Sequence, residues 1–300
     1  MIKRLLTIAT LIVASVMAVS AQTRTIEHEY SEFDSIVASD GFHVNLVKDD
    51  SYATKLVVDD ALESYVQCYV KAKTLYISLD EKNIPKDLKK SYKGKNNSDP
   101  TLVATVYLPS LNSLTLSNDA AVTSNFTLGG EQFSLNLTDN CSISNLVIET
   151  TKSVVITTSK KSSAASLKLK TDKLEVNSDG SSVITGEISA DVLSVKNAGT
   201  SDLTFNGETK EVVVEAAGGA KMLITGKSKT ISVTGKGSSG KIDASGLAVE
   251  EADLDIAGIS VYVDAEKTLK LDLEKSADVQ YSGDPNIEIV KILNSSVTRK

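Results

Sequence analysis

Four carboxylates near the C-terminus of this 300-residue chain are, by type and spacing, the residues best suited to holding an ion: Asp253, Asp255, Asp272 and Glu274. Each pair brackets one apolar residue, Leu254 or Leu273, so in an extended strand both members point the same way. The members of a pair then stand about 6.8 Å apart, and stacked strands about 4.8 Å. If the strands stack with Leu254 beside Leu273, four carboxylates share one patch. Charges of one sign that close repel unless a cation intervenes, and hard oxygen ligands suit calcium. The plainer reading is a solvated face neutralised by Lys267, Lys270 and Lys275, and the lack of a calcium-loop motif favours it.

Other reactive side chains are sparse. The two histidines, His28 and His43, both precede residue 50, and His43 alternates outward between the apolar Phe42 and Val44. No serine or cysteine nucleophile motif, P-loop or paired-cysteine zinc spacing accompanies them, so the chain reads as a non-enzyme. A carbohydrate-active enzyme is the alternative, because stacked strands can bring distant carboxylates together. Tyr65, Tyr69 and Tyr76 could form an outward aromatic strip for a ligand, although shielding of apolar surface explains them as well. In "YVQCYVKA", Val66, Cys68 and Val70 share the inward face. Cys68 and Cys141 read as two unpaired thiols, small and buried, though an oxidising compartment permits a disulfide.

The elements that carry these residues are set by a repeat. Leu116, Leu137, Ile156, Val176, Val195, Val214, Val233, Leu254 and Leu273 follow one another at intervals of 19 to 21 residues. Two residues before each lies another apolar residue, and four after lies Ala120, Cys141, Lys160, Gly180, Gly199, Gly218, Gly237, Gly258 or Ala277. Period-two alternation means strands with one face inward, and glycine at a constant offset means a turn needing permissive angles or close stacking. So short an interval, with strand signals throughout, points to stacked coils. The sequence therefore predicts an all-β protein, a right-handed parallel β-helix (β-solenoid) with about 19–21 residues per coil.

Residues 1–21 have the three parts of a secretory signal: Lys3 and Arg4, an apolar run, and small residues ending at Ala21. Their removal leaves 30 basic against 39 acidic residues, a net charge of −9, and no transmembrane segment. So acidic a chain is a poor nucleic-acid binder, and only Arg24 and Arg299 remain for forked recognition of anions. Residues 22–112 read as N-terminal capping coils and 113–300 as the repeat coils of the same β-helix. Within the cap, 81–100 is rich in lysine, carries Pro85 and Pro100, and reads as a solvated loop, with a contact for an anionic partner as the alternative.

Four stretches taken together, "FDSIVASDGFHVNL" (33–46), "LYISLD" (75–80), "TVYLPSLNSLTLSNDAAV" (105–122) and "SADVQYSGDP" (276–285), resemble the putative auto-transporter adhesin, head GIN domain family of exported bacterial proteins. The resemblance runs over residues 30–297. It implies a right-handed parallel β-helix, export to the periplasm, outer surface or extracellular space, and an adhesin role; it supplies no catalytic residues. The expected partners are a polysaccharide or a cell-surface protein, with a self-associating envelope scaffold as a further alternative.

Overall fold

Leu193 and Val195 alternate with outward Ser194, and the same arrangement recurs at Val212/Val214 and Ile231/Val233. All six apolar side chains are buried. Their strands lie side by side, parallel and in register, with Val195 against Val214 and Val214 against Val233. The computed structural model describes residues 22–92 and 99–300, so the signal segment 1–21 lies outside the described residues. It is 66% strand and 4% helix, and its stacked parallel coils form a β-solenoid of about 10 turns.

Each coil has two main faces. One holds strands such as Glu211–Gly218, and the other strands such as Asp202–Glu208, with Leu203 and Phe205 inward. In early coils the second face is broken into two short strands, Ser142–Ser144 and Val147–Glu149; in later coils these fuse into one. Three inward columns run up the first face. The middle column is Leu75, Ile36, Leu114, Leu135, Ile156, Val176, Val195, Val214, Val233, Leu254, Leu271 and Ile289.

Chain order and stacking order differ at the N-terminal end. Strand Ser35–Ala38 lies between Thr74–Leu79 and Ser113–Leu116, and His43–Lys48 between Leu102–Leu108 and Ala121–Ser124. Beyond them the strands turn antiparallel: Val66–Lys71 on Thr74–Leu79, and Ala53–Asp59 between Leu102–Leu108 and Thr23–Glu29. Residues 81–92, expected as part of a loop, include a short helix, Lys86–Ser91. Ile84 is buried, and Leu88 and Tyr92 pack on the core. Their spacing of four is that of one helical face, so the segment covers the end of the core.

The coil length is more variable than the sequence repeat suggests, because the register slips twice. Leu137 pairs with Thr158 rather than Ile156, and Leu254 with Leu271 rather than Leu273, a step of 17 residues (271 − 254). The first slip was hidden because the corner column turns polar: Leu137 is followed by Thr158, Ser178 and Asn197, all buried. Thr158 and Ser178 satisfy each other at 3.0 Å, and Asn197 Nδ2 donates to the Lys221 carbonyl at 2.8 Å. The second slip follows irregularities in the strand pairing around 244–248. There Asp243 accepts hydrogen bonds from both the amide and the hydroxyl of Ser245, at 3.3 and 2.7 Å.

The glycine offset has a steric origin. At Gly199 φ is +69°, and a Cβ there would lie 2.5 Å from the carbonyl oxygen of Gly180 in the coil below. In earlier coils the turn uses two left-handed residues instead: Asn118–Asp119, Asp139–Asn140 and Lys160–Lys161. Asn and Asp tolerate that conformation best. The lysine pair makes it too, with Lys160 Nζ 3.0 Å from Asp139 of the preceding turn.

Two substitutions test this construction. Val214→Asp should bury an unpaired charge and cost several kcal/mol. Gly199→Ala should cost about 1–3 kcal/mol through strained backbone and the carbonyl contact. Urea unfolding followed by circular dichroism measures both; wild-type midpoints would contradict the stacked register.

Candidate functional site

The register slip decides the fate of the acidic patch. With Leu254 against Leu271, Asp253 faces Lys270, Asp255 faces Asp272, and Glu274 moves on to Ala257. Lys270 Nζ lies 2.8 Å from Asp253, and Lys267 Nζ 2.6 Å from Glu250. Glu274 accepts a hydrogen bond from Lys291, which holds its carboxyl below the usual range. The same kind of bond, donated by Lys270 to Asp253, raises the Lys270 ammonium. The four carboxylates thus do not converge, and only Asp255 and Asp272 remain side by side. Among the described residues no group of three or more His, Cys, Asp or Glu is placed to hold a metal ion. Of the lysines named beside this face, Lys270 pairs with Asp253 and Lys275 also lowers the Glu274 carboxyl, while Lys267 pairs with Glu250 instead.

The tyrosines divide in the same way. Tyr69 and Tyr76 sit directly opposite in the antiparallel hairpin 66–79. Their rings stack with centroids 5.2 Å apart and planes 17° apart, and Tyr69 is 45% exposed. Tyr65 does not join them. It ends a short 3₁₀ helix, Asp60–Tyr65, and packs on the core. Strand alternation does not extend back through the helix, so the expected strip of three is a pair.

A cleft of about 580 Å³ opens at the capped end. Leu62, Leu79, Ile84 and Leu102 line it with apolar surface, and Asp40 and Asp119 stand among its polar groups. Asp40 is committed to the structure: it accepts hydrogen bonds from the Leu79 amide at 3.0 Å and Asn118 Nδ2 at 3.2 Å. Sequence reasoning missed this cleft. Its one signal was the four-residue spacing of Ile84, Leu88 and Tyr92 inside a lysine-rich stretch. His43 is exposed on its strand, between Val103 and Ala121 of neighbouring strands, and His28 is exposed beside Tyr30, 5.9 Å between rings.

Both cysteines are free. Cys141 lies in a corner column of small residues with Ala120, Ser162, Ser182 and Ser201, linked coil to coil by backbone hydrogen bonds. Its thiol donates to the Thr138 carbonyl at 3.0 Å, as Ser182 does to Asp179. Burial pushes the Cys141 thiol up to about 11. Cys68 is half-buried and accepts a hydrogen bond from Tyr30 Oη at 3.2 Å; burial raises its thiol too.

Two outcomes follow. A thiol reagent at pH 8 should modify the native protein slowly, because little thiolate exists that far below the raised pKa, and should find two thiols after unfolding. Rapid native labelling, or fewer than two thiols on unfolding, would contradict this. Millimolar calcium or a chelator should leave the melting midpoint unmoved. A rise with calcium that Asp255→Asn, Asp272→Asn removes would reinstate a cation site.

No helix among the described residues is long and apolar enough to cross a membrane. No curated protein matches the chain. Two solved structures from Parabacteroides distasonis share its fold. A putative lipid binding protein is 19% identical, with 94% of this chain and 98% of that chain covered and a TM-score of 0.50. A putative adhesin is 17% identical with the same coverage and a TM-score of 0.51. At such identities the likeness concerns fold alone. The family described as "Putative auto-transporter adhesin, head GIN domain" matches residues 32–285. That span takes in the antiparallel cap except strand Thr23–Glu29, and the stack except its last two strands, and the chain belongs to this adhesin-like family.

Proposed function

We propose that the chain is an exported, non-enzymatic interaction module of the cell surface that binds a saccharide. Residues 1–21 supply the export signal in this reading. The observation that carries it is the stacked, exposed Tyr69–Tyr76 pair on the outermost hairpin of the capped end. An open ring face is apolar and flat, which suits the apolar face of a sugar ring, and the phenol hydroxyls add polar contact. Family membership supports an adhesive role.

The test is a glycan array probed with the exported chain and with Tyr69→Ala, Tyr76→Ala. Binding should weaken at least about tenfold in the double variant, the loss of roughly one good aromatic contact. The melting midpoint should change little, because Tyr69 is among the most exposed apolar side chains. Undiminished binding by the double variant would refute the tyrosine site. Release of reducing ends or unsaturated products from a polysaccharide panel would instead establish the enzyme alternative.

A further inference from the structure

The two ends of the solenoid are not alike. At the N-terminal end, antiparallel strands, the 3₁₀ helix and the 81–92 segment cover the core. At the other end of the described stack the inward columns reach exposed residues. Leu269, Leu271 and Leu273 are fully buried, whereas their partners in the last coil, Ile287, Ile289 and Ile292, are 38%, 64% and 39% exposed. Val290 and Leu293 are exposed beside them. Strand Asn286–Ile292 pairs with Ser260–Glu274 along one edge, and among the described residues nothing pairs with the other. Ser296–Arg299 is open on the same side. An apolar core section rimmed by unpaired strand edges is a template for further pairing.

We propose that this end docks on the same end of a second copy, forming a closed two-fold dimer with antiparallel pairing of the last strands. The strand sequence argues for it. Residues 287–292 read Ile-Glu-Ile-Val-Lys-Ile, apolar, acid, apolar, apolar, base, apolar. The charges are opposite at positions equidistant from the centre between Ile289 and Val290. Two copies antiparallel about that centre set Glu288 opposite Lys291 of the other copy, twice, and Ile287 opposite Ile292, twice. The faces agree. Glu288 and Lys291 align with the outward Lys270 and Asp272, while Ile287 and Ile292 align with the inward Leu269 and Leu273. Val290 is the residue skipped in that register, and this extra residue lets both charges face outward. A parallel or head-to-tail arrangement has no such match, and the opposite end is covered, so association stops at two. The dimer would set the two capped ends at opposite poles, so a pair of Tyr69–Tyr76 sites could act together; the dimer itself does not depend on the saccharide reading.

Sedimentation velocity of the exported chain over a hundredfold concentration range should show a monomer–dimer equilibrium and nothing larger. Ile289→Lys should give monomer with an unchanged melting midpoint. Glu288→Lys alone and Lys291→Glu alone should each weaken the dimer at least about tenfold, and Glu288→Lys, Lys291→Glu together should restore it. Lys291 also bonds Glu274, so the restoration separates cross-copy pairing from that internal contact. Monomer at every concentration, a mass that keeps growing, a dimer indifferent to Ile289→Lys, or no recovery in the double exchange would each overturn the proposal.

Discussion

Backbone hydrogen bonds in this molecule run from coil to coil, and everything else follows from that direction. A coil of about twenty residues closes few backbone bonds within itself, so its amides and carbonyls are satisfied only by the coils above and below. Equivalent positions are therefore held about 4.8 Å apart. Any side chain must be compatible with the one stacked directly on it. Apolar columns become continuous cores, and turn residues become columns in which a Cβ can meet the carbonyl beneath. The Gly180, Gly199 and Gly218 series is that constraint written into sequence.

The constraint also explains what the sequence disclosed and what it concealed. Strands were legible where inward positions are apolar, because alternation with period two then survives in the residue types. All nine apolar markers from Leu116 to Leu273 are buried. Register was legible only while the columns stayed apolar. At the corner the enclosed space is small, and Thr158, Ser178 and Asn197 occupy it with local hydrogen bonds. A reader following hydrophobicity steps off the true register there. The irregular pairing near Ser245 does the same farther on, since the hydrogen bonds of Asp243 leave no mark on the apolar pattern. The misplaced acidic patch was inherited from that second slip: shifting the pairing by two residues replaces Asp272 with Lys270 beside Asp253. The helix at Lys86–Ser91 escaped notice for another reason. Three apolar residues at spacing four are interleaved with three lysines and a proline, which mask the helical face.

The outer surface obeys the same stacking rule with charges in place of methyl groups. Identical charges in one outward column would stand a strand spacing apart and repel by about 1 kcal/mol per contact even in water. Several columns place opposite charges in successive coils, although Asp255 stands beside Asp272 and Lys221 beside Lys241. Lys152 reaches Glu131, Lys210 reaches Asp191, and Lys196 reaches Glu215, each one coil away. Exposed pairs of this kind add little to stability. Their effect is to offset part of the acidic charge along the flanks.

The parallel ladder is interrupted at both ends of the described stack. At the capped end, antiparallel pairing brings two tyrosines into one cross-strand position, a combination absent from the parallel columns. At the opposite end the outer edge of strand Asn286–Ile292 has no partner among the described residues. The apolar columns are cut across, and the final strand keeps Glu288 and Lys291 on its outward face. Both features lie at the ends of the described stack. The middle of such a stack can lengthen or shorten by a coil without altering either end. The features at the ends are thereby separated from the repeat that holds them apart, and the number of coils sets the distance between the tyrosine pair and the open edge.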